Sequence, residues 1–241
     1  MSQGPVLNGL ALCAGVGGLE LGLHLALGAR YRTVCYVERE AYAAGILVAR
    51  MEEGWLDQAP VWDDLTTFNG GQWRGVVDLV SAGYPCQPFS SAAHGQHTHP
   101  DLFPQVIRIV EEVQPRFVFL ENVARAHSVE AELESCGYAT AGGIFTVESS
   151  GGPHRRARKF TLGYSNAAGK PEHALHAETP WVPTGNGPWH RLPEPIPHGM
   201  DDGMACRVDR LRACGEGVVP AVAARAWSEL SYRLYEGGLP Q

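Results

Sequence analysis

From residue 8 to residue 38 the chain reads as an apolar run, a glycine-rich turn, a leucine-rich run, a second apolar run and an acid. Few folds accept that order. Residues 8–13 (NGLALC) predict a strand and Ala14-Gly15-Val16-Gly17-Gly18 a tight turn. Leu19, Leu21, Leu23, Leu25 and Leu27 predict a helix that stops near Gly28, and residues 33–37 a second strand. Strand, glycine turn, helix and strand open a parallel βαβ unit, whose turn lies at the carboxyl edge of the sheet where ligands bind.

Glu38 ends the second strand twenty residues beyond Gly18, where a carboxylate can accept both ribose hydroxyls of an adenosine. The turn itself serves equally well as a plain structural bend. Glu20 stands where the pattern G-x-G-x-x-G would place its last glycine. A pyrophosphate needs bare N–H groups at the helix start and would be repelled by a carboxylate there, whereas a sulfonium cation would not. S-adenosylmethionine therefore suits this turn better than NAD.

The alternation continues. A helix is expected over residues 40–51 and a third strand end at Val61-Trp62-Asp63-Asp64-Leu65. Asp64 with Leu65 offers one acceptor for an adenine amine and one apolar wall, or else Asp64 is a capping residue. A buried strand over residues 76–80 leads into Ser81-Ala82-Gly83-Tyr84-Pro85-Cys86-Gln87-Pro88-Phe89-Ser90. Pro85 stiffens this loop. Cys86 is either a nucleophile poised at the ligand edge or a small buried apolar residue. Residues 91–100 read as a polar lid; His94, His97 and His99 match no metal-ligand spacing.

A helix follows over residues 102–113, then a strand over 116–120 that ends at Glu121-Asn122-Val123. An acid in that place either caps the next element or is a desolvated proton donor. Two further strands are expected over 138–147 and 159–163. Between them His154-Arg155-Arg156-Ala157-Arg158-Lys159 forms the one dense basic cluster of the chain, a solvated turn or an anion site for phosphate or thiolate. Residues 165–203 are irregular and rich in Pro, Gly, His and Trp, and an amphipathic helix runs to about residue 235.

The whole predicts a doubly wound α/β sheet. Residues 1–164 form the catalytic and cofactor-binding domain, 165–203 a small lobe, and 204–241 a segment completing the domain. No apolar run has the length of a membrane span, and no basic-then-apolar leader opens the chain, so the expected location is cytoplasmic. Six scattered cysteines without a C-x-x-C pair indicate neither a disulfide framework nor a metal site. A net charge of −7 excludes a general nucleic-acid coat but not a locally basic site.

Assembled in order, the glycine turn, Glu38, Asp64, Pro85-Cys86-Gln87, Glu121-Asn122-Val123, the arginine segment and the glycine-valine segment at 215–219 resemble the DNA (cytosine-5) methyltransferases. The resemblance implies a Rossmann-like, class I S-adenosylmethionine-dependent methyltransferase fold with a reduced target-recognition region at 165–203. It implies methyl transfer to C5 of a flipped cytosine in double-stranded DNA, as in restriction–modification, by a soluble, nucleoid-associated monomer. A partner supplying sequence recognition would suit so short a lobe. In this reading Cys86 adds to C6 of the base. Glu121 holds N3 and the exocyclic amine, and Arg156 and Arg158 stabilise the thiolate and the base carbonyl. Cys13, Ala14, Gly15, Val16, Gly17, Gly18, Glu38, Arg39, Asp64, Leu65, Pro85, Leu102, Glu216 and Val218 line the cofactor. Tyr84, Gln87, Ser90 and Arg155 meet the base or the DNA.

Three residues depart from the family pattern. Cys13 replaces the usual Phe, which removes an aromatic face from the adenine. His154 replaces a Gln. Glu216 replaces an Asn beside the methionine portion of the cofactor and is expected to lower or alter its use. Two other readings remain: a cytosine-5 methyltransferase acting on tRNA, and an inactive DNA-binding or regulatory homologue. The glycine pattern disfavours an NAD dehydrogenase.

Overall fold

A computed structural model of the chain describes residues 6–85, 101–123, 129–151, 156–169 and 217–236. Its centre is a seven-stranded sheet with the order β3-β2-β1-β4-β5-β7-β6. The strands are β1 (Leu7–Leu12), β2 (Tyr31–Val37), β3 (Val61–Trp62), β4 (Leu79–Gly83), β5 (Phe117–Val123), β6 (Tyr138–Thr146) and β7 (Ala157–Ser165). The first five run parallel, and β7 enters antiparallel between β5 and β6. The helices are α1 (Gly18–Leu27), α2 (Ala41–Glu52), α3 (Phe103–Val113), α4 (Val129–Ser135) and α5 (Pro220–Glu236). This is the doubly wound α/β sheet that the sequence predicts.

Two-residue alternation along the central strands sorts their side chains between the faces. Leu10, Leu12, Val80, Ala82, Val118 and Leu120 face α3, where Val106, Ile109, Val110 and Val113 close the layer. Leu7, Leu79, Phe117 and Phe119 face α1 and α5, packing on Leu19, Leu23, Val222 and Trp227. Small residues let α5 lie close to α1. A side chain at Gly22 would meet Ala223 Cβ at 2.5 Å, and one at Gly18 would run into the carbonyl oxygen of Val218, just before α5.

Several boundaries differ from the sequence expectation. The strand placed at 76–80 is Leu79–Gly83, because Val76 and Val77 close a turn onto the Trp73 carbonyl. The strand placed at 116–120 continues through Glu121 and Asn122 to Val123, since β7 pairs with it along its full length. Helix α4 had no counterpart in the sequence reading; only Val129 and Leu133 of it are buried.

Glu20 also differs from expectation. Its carboxyl is turned into the core, 1 % exposed, where Ser81 Oγ on β4 donates to Oε1 at 2.8 Å. Burial pushes its pKa up to about 7, and the Ser81 bond offsets this in part. It is therefore no fixed anion at the mouth of the turn. The unfolded chain releases this proton near the ordinary carboxylate value, so the folded state binds more protons between those values and stability falls as pH rises through about 7. The contribution is roughly 3 kcal/mol across the full shift. Glu20→Gln is expected to flatten that fall when urea midpoints are compared at pH 5 and pH 8; an unchanged slope would refute the assignment.

Candidate active site

The strand order reverses between β1 and β4, which opens the crevice where open α/β sheets bind ligands. The first wall is the glycine turn. Gly15 and Gly17 have φ of +54° and +79°, values that glycine adopts without steric cost. Gly17 N–H donates to the Ala14 carbonyl at 2.8 Å, and Arg50 on α2 donates to the Val16 carbonyl. Cys13 lies just before the turn at φ +48°, a left-handed conformation rare outside glycine. Burial, with the Glu38 carboxylate next, raises its thiol to about 12, so it is a neutral group there.

Glu38 stands at the tip of β2. Gly15 N–H donates to its Oε2 and Glu40 N–H to its Oε1, both at 2.7 Å. A carboxylate oxygen has more than one acceptor direction, so both remain able to receive ribose hydroxyls. At the end of β3, Thr66 donates through its N–H (2.8 Å) and its hydroxyl (2.7 Å) to Asp64 Oδ1. Those two bonds, with Arg39 as a further influence, hold Asp64 below the usual carboxylate range. An anionic acceptor results. Leu65 is buried at 5 % in the α3-side core with Val37, Phe68 and Val80. Arg39 is exposed. Leu102 precedes α3 and packs on that same core.

The second wall is built by β4, β5 and β7. Glu121 pairs with Gly83 on one side and Phe160 on the other. It belongs to the series that faces α1 and α5. Its carboxyl is almost fully buried, and burial raises its pKa to about 7 against the lowering by Arg158 and Arg156. Arg158 Nε lies 3.0 Å from Glu121 Oε1. That is an ion pair by distance, yet the N–H is not directed at the oxygen, and Oε1 accepts no hydrogen bond among the described residues. A buried acceptor in that condition costs free energy that an incoming donor would recover. Arg158 Nη1 donates to the Ala157 carbonyl, while Arg156 Nη2 donates to the Gly217 carbonyl at 3.0 Å. Arg158 thus lies against the acid, while Arg156, which also lowers that acid, ties in the closing segment. Val218 of that segment packs between Gly18 and Gly83, joining the two walls.

Tyr84 and exposed Pro85 follow β4 directly. The Tyr84 ring stacks on Phe103 at 5.2 Å and its carbonyl accepts from Asn122 Nδ2 at 3.2 Å. This fixes the backbone at the carboxyl end of β4. Asn122 was missed as a site residue; its place in the alternation, one residue beyond Glu121 on the opposite face, was the available signal. Cys86, Gln87, Ser90, Arg155, His154 and Glu216 lie outside the described residues, as do the lid at 91–100 and most of the lobe at 165–203.

A groove lined by His24, Tyr31, Arg32 and Asp57 opens at the amino ends of the strands and contains no motif residue. It lies on the wrong edge for the ligand crevice. Among the described residues no helix is long and apolar enough to cross a membrane, and no cluster of three or more His, Cys, Asp or Glu could hold a metal.

Comparison with known proteins agrees with this geometry. The sequence profile of the C-5 cytosine-specific DNA methylases matches residues 7–188. The type II methyltransferase M.NgoMIV of Neisseria gonorrhoeae is 37% identical over 120 residues, 47% of this chain and 35% of that protein. M.BsuFI of Bacillus subtilis is 28% identical over 232 residues, 86% of this chain and 54% of that protein. The chain thus spans only about a third to a half of the length of these relatives. The crystal structure of a Spodoptera frugiperda DNMT2 mutant superposes with a TM-score of 0.55 at 19% identity, covering 69% of this chain and 52% of that one. An Entamoeba histolytica methyltransferase gives 0.54 at 16%, covering 72% and 57%. At such identities the structural likeness concerns the fold, that of class I S-adenosylmethionine-dependent methyltransferases. With the profile covering some three quarters of its length, the chain belongs to the C-5 cytosine-specific DNA methylase family.

Proposed function

We propose that this chain transfers a methyl group from S-adenosylmethionine to C5 of a cytosine flipped out of duplex DNA, through a transient bond between Cys86 Sγ and C6. The observation that carries the reading is the placement of Glu121. It is a buried carboxyl that shares a register position with Gly83, three residues before Cys86, and has an arginine at 3.0 Å and an oxygen that accepts no hydrogen bond among the described residues.

C5 of cytosine is a poor nucleophile. Addition of a thiolate at C6 pushes the C5–C6 electron pair toward N3 and the carbonyl, and the ring becomes enamine-like. Glu121, raised to about 7, is partly protonated at neutral pH, so it can give or share its proton with N3 while Oε1 accepts from the exocyclic amine. Arg158 sits beside that acid and offsets the charge that remains when its proton moves. The cofactor, when bound, supplies an electrophilic methyl on a cationic sulfur. Once C5 carries the methyl group, a base takes the C5 proton, the pair re-forms the double bond, the C6–S bond breaks with return of the thiolate, and the proton lent to N3 goes back to Glu121. C5 is inaccessible within a stacked duplex, so extrusion of the base precedes all of this.

The residues on the page suit the cofactor. Glu38 would receive the ribose hydroxyls and Asp64 the adenine amine. Gly18, with no side chain, leaves room for Val218 to close the crevice. Cys13 in place of an aromatic residue gives up a stacking face, worth about 1 kcal/mol in comparable contacts. We further propose that residues 165–203 form a reduced recognition lobe, with DNA contacts mainly to phosphate.

Tritiated methyl transfer into duplex DNA and into tRNA tests the assignment. Incorporation into DNA, mapped to cytosine C5 by bisulfite sequencing, is expected; incorporation into tRNA alone would replace the substrate, and none into either would support an inactive homologue.

A further inference from the structure

The third strand is only two residues long, so the segment carrying Asp64 leaves the sheet almost at once and needs other support. That support comes from α3. Arg108 Nη2 donates to the Leu65 carbonyl and Nη1 to the Phe68 carbonyl, each at 3.0 Å. Its Nε donates to Gln105 at 2.8 Å, which fixes the plane of the guanidinium. Nη1 also meets Glu112 Oε1 at 2.7 Å, while Glu112 Oε2 accepts from Gly70 N–H at 2.8 Å. Two backbone carbonyls and one backbone N–H of the 65–70 segment are thereby bound to two side chains one turn apart on one helix.

We infer that Arg108, seated on Glu112, is a positioning residue that sets the Asp64 carboxylate at the height of the adenine amine. The inference rests on the cofactor reading proposed above. The planar fork reaches both carbonyls at once, whereas a lysine in its place, a point donor on a flexible stem, reaches one or the other. The Leu65 carbonyl lies one residue from Asp64, so loss of that bond lets the Asp64–Thr66 turn shift together with the carboxylate that would accept the amine. Helix α3 also carries Phe103, which stacks on Tyr84 just before the catalytic loop. One rigid element thus supports both the adenine edge and the base of the loop that bears Cys86.

The test is the ratio of dissociation constants for S-adenosylhomocysteine and for its analogue lacking the adenine amino group, measured by calorimetry on the full chain. Wild type is expected to prefer the amine-bearing ligand by about 10-fold, the gain typical of one hydrogen bond to a charged acceptor. Asp64→Ala should bring the ratio close to one. Arg108→Lys should reduce it at least about 3-fold and raise KM for S-adenosylmethionine, with kcat at saturation changed less than about 2-fold. Damage to stability alone lowers the affinity for both ligands together and leaves the ratio intact. Should Arg108→Lys fail to fold, Glu112→Gln, which keeps an acceptor for Gly70, is expected to shift the ratio in the same direction. A wild-type ratio near one, or one kept in Asp64→Ala, would overturn the adenine assignment and this inference with it. A ratio lost in Asp64→Ala but intact in Arg108→Lys, or in Glu112→Gln when that variant is used, would overturn this inference alone.

Discussion

Replacing Cys86 by serine is expected to lower kcat for methyl transfer on the order of 10⁴-fold or more while leaving the affinity for S-adenosylmethionine nearly unchanged. The reason is electronic. A hydroxyl at neutral pH is almost wholly protonated and hard, whereas a thiol is partly ionised and polarisable. Without addition at C6 the ring never becomes electron-rich at C5, and every later step waits on that one. The cofactor contacts proposed at Glu38 and Asp64 lie beyond the ends of β2 and β3, away from β4 and the loop after it, so cofactor binding should persist. Single-turnover methyl transfer alongside calorimetry separates the two quantities. A serine variant of near wild-type rate would remove the covalent mechanism.

The second large effect is expected at Glu121. Glu121→Gln keeps the size and an acceptor but cannot release a proton, and a loss of about 10²- to 10⁴-fold in kcat is expected from removing general-acid assistance. The pH dependence carries the sign. Burial raises the acid to about 7, so its protonated fraction falls as pH rises through that value, and with it the ability to stabilise charge at N3. Wild-type kcat/KM should therefore decline above about pH 7 on this limb, and Glu121→Gln should lack the limb. The same elevation removes stability as pH rises through about 7, in the direction argued for Glu20. A glutamine variant with the wild-type pH profile would show that Glu121 is only a structural acid.

How far the sequence reached depended on whether a residue's meaning is local. The strand–turn–helix order, the glycine turn and the acid closing β2 were legible because backbone geometry and chain spacing dictate them: Gly15 and Gly17 adopt positive φ, and Glu38 follows β2 directly, where Gly15 N–H donates to it. Glu121 was picked out for following an apolar strand, though pairing with β7 extends that strand past it. Glu20 was misjudged because it was placed by its position in the turn. Its spacing of three and seven from Leu23 and Leu27 sets it on the buried stripe of α1, a signal that was available. Arg108 could not be read at all. Within α3 it is one polar residue opposite an apolar face, and its role exists only because the 65–70 segment packs there. The bond from Arg156 to Gly217 is likewise tertiary, since 61 residues separate the two.

The most direct test of the account is incubation of the chain with S-adenosylmethionine and a duplex in which cytosine is replaced by 5-fluorocytosine, followed by denaturing electrophoresis. Fluorine at C5 cannot leave as a cation, so the final elimination stalls and the protein remains bonded to DNA. The account predicts a shifted, denaturant-resistant band that depends on the cofactor and maps by peptide sequencing to Cys86. No such band from a protein that methylates unmodified duplex, or a band mapping to Cys13 or another residue, would contradict it.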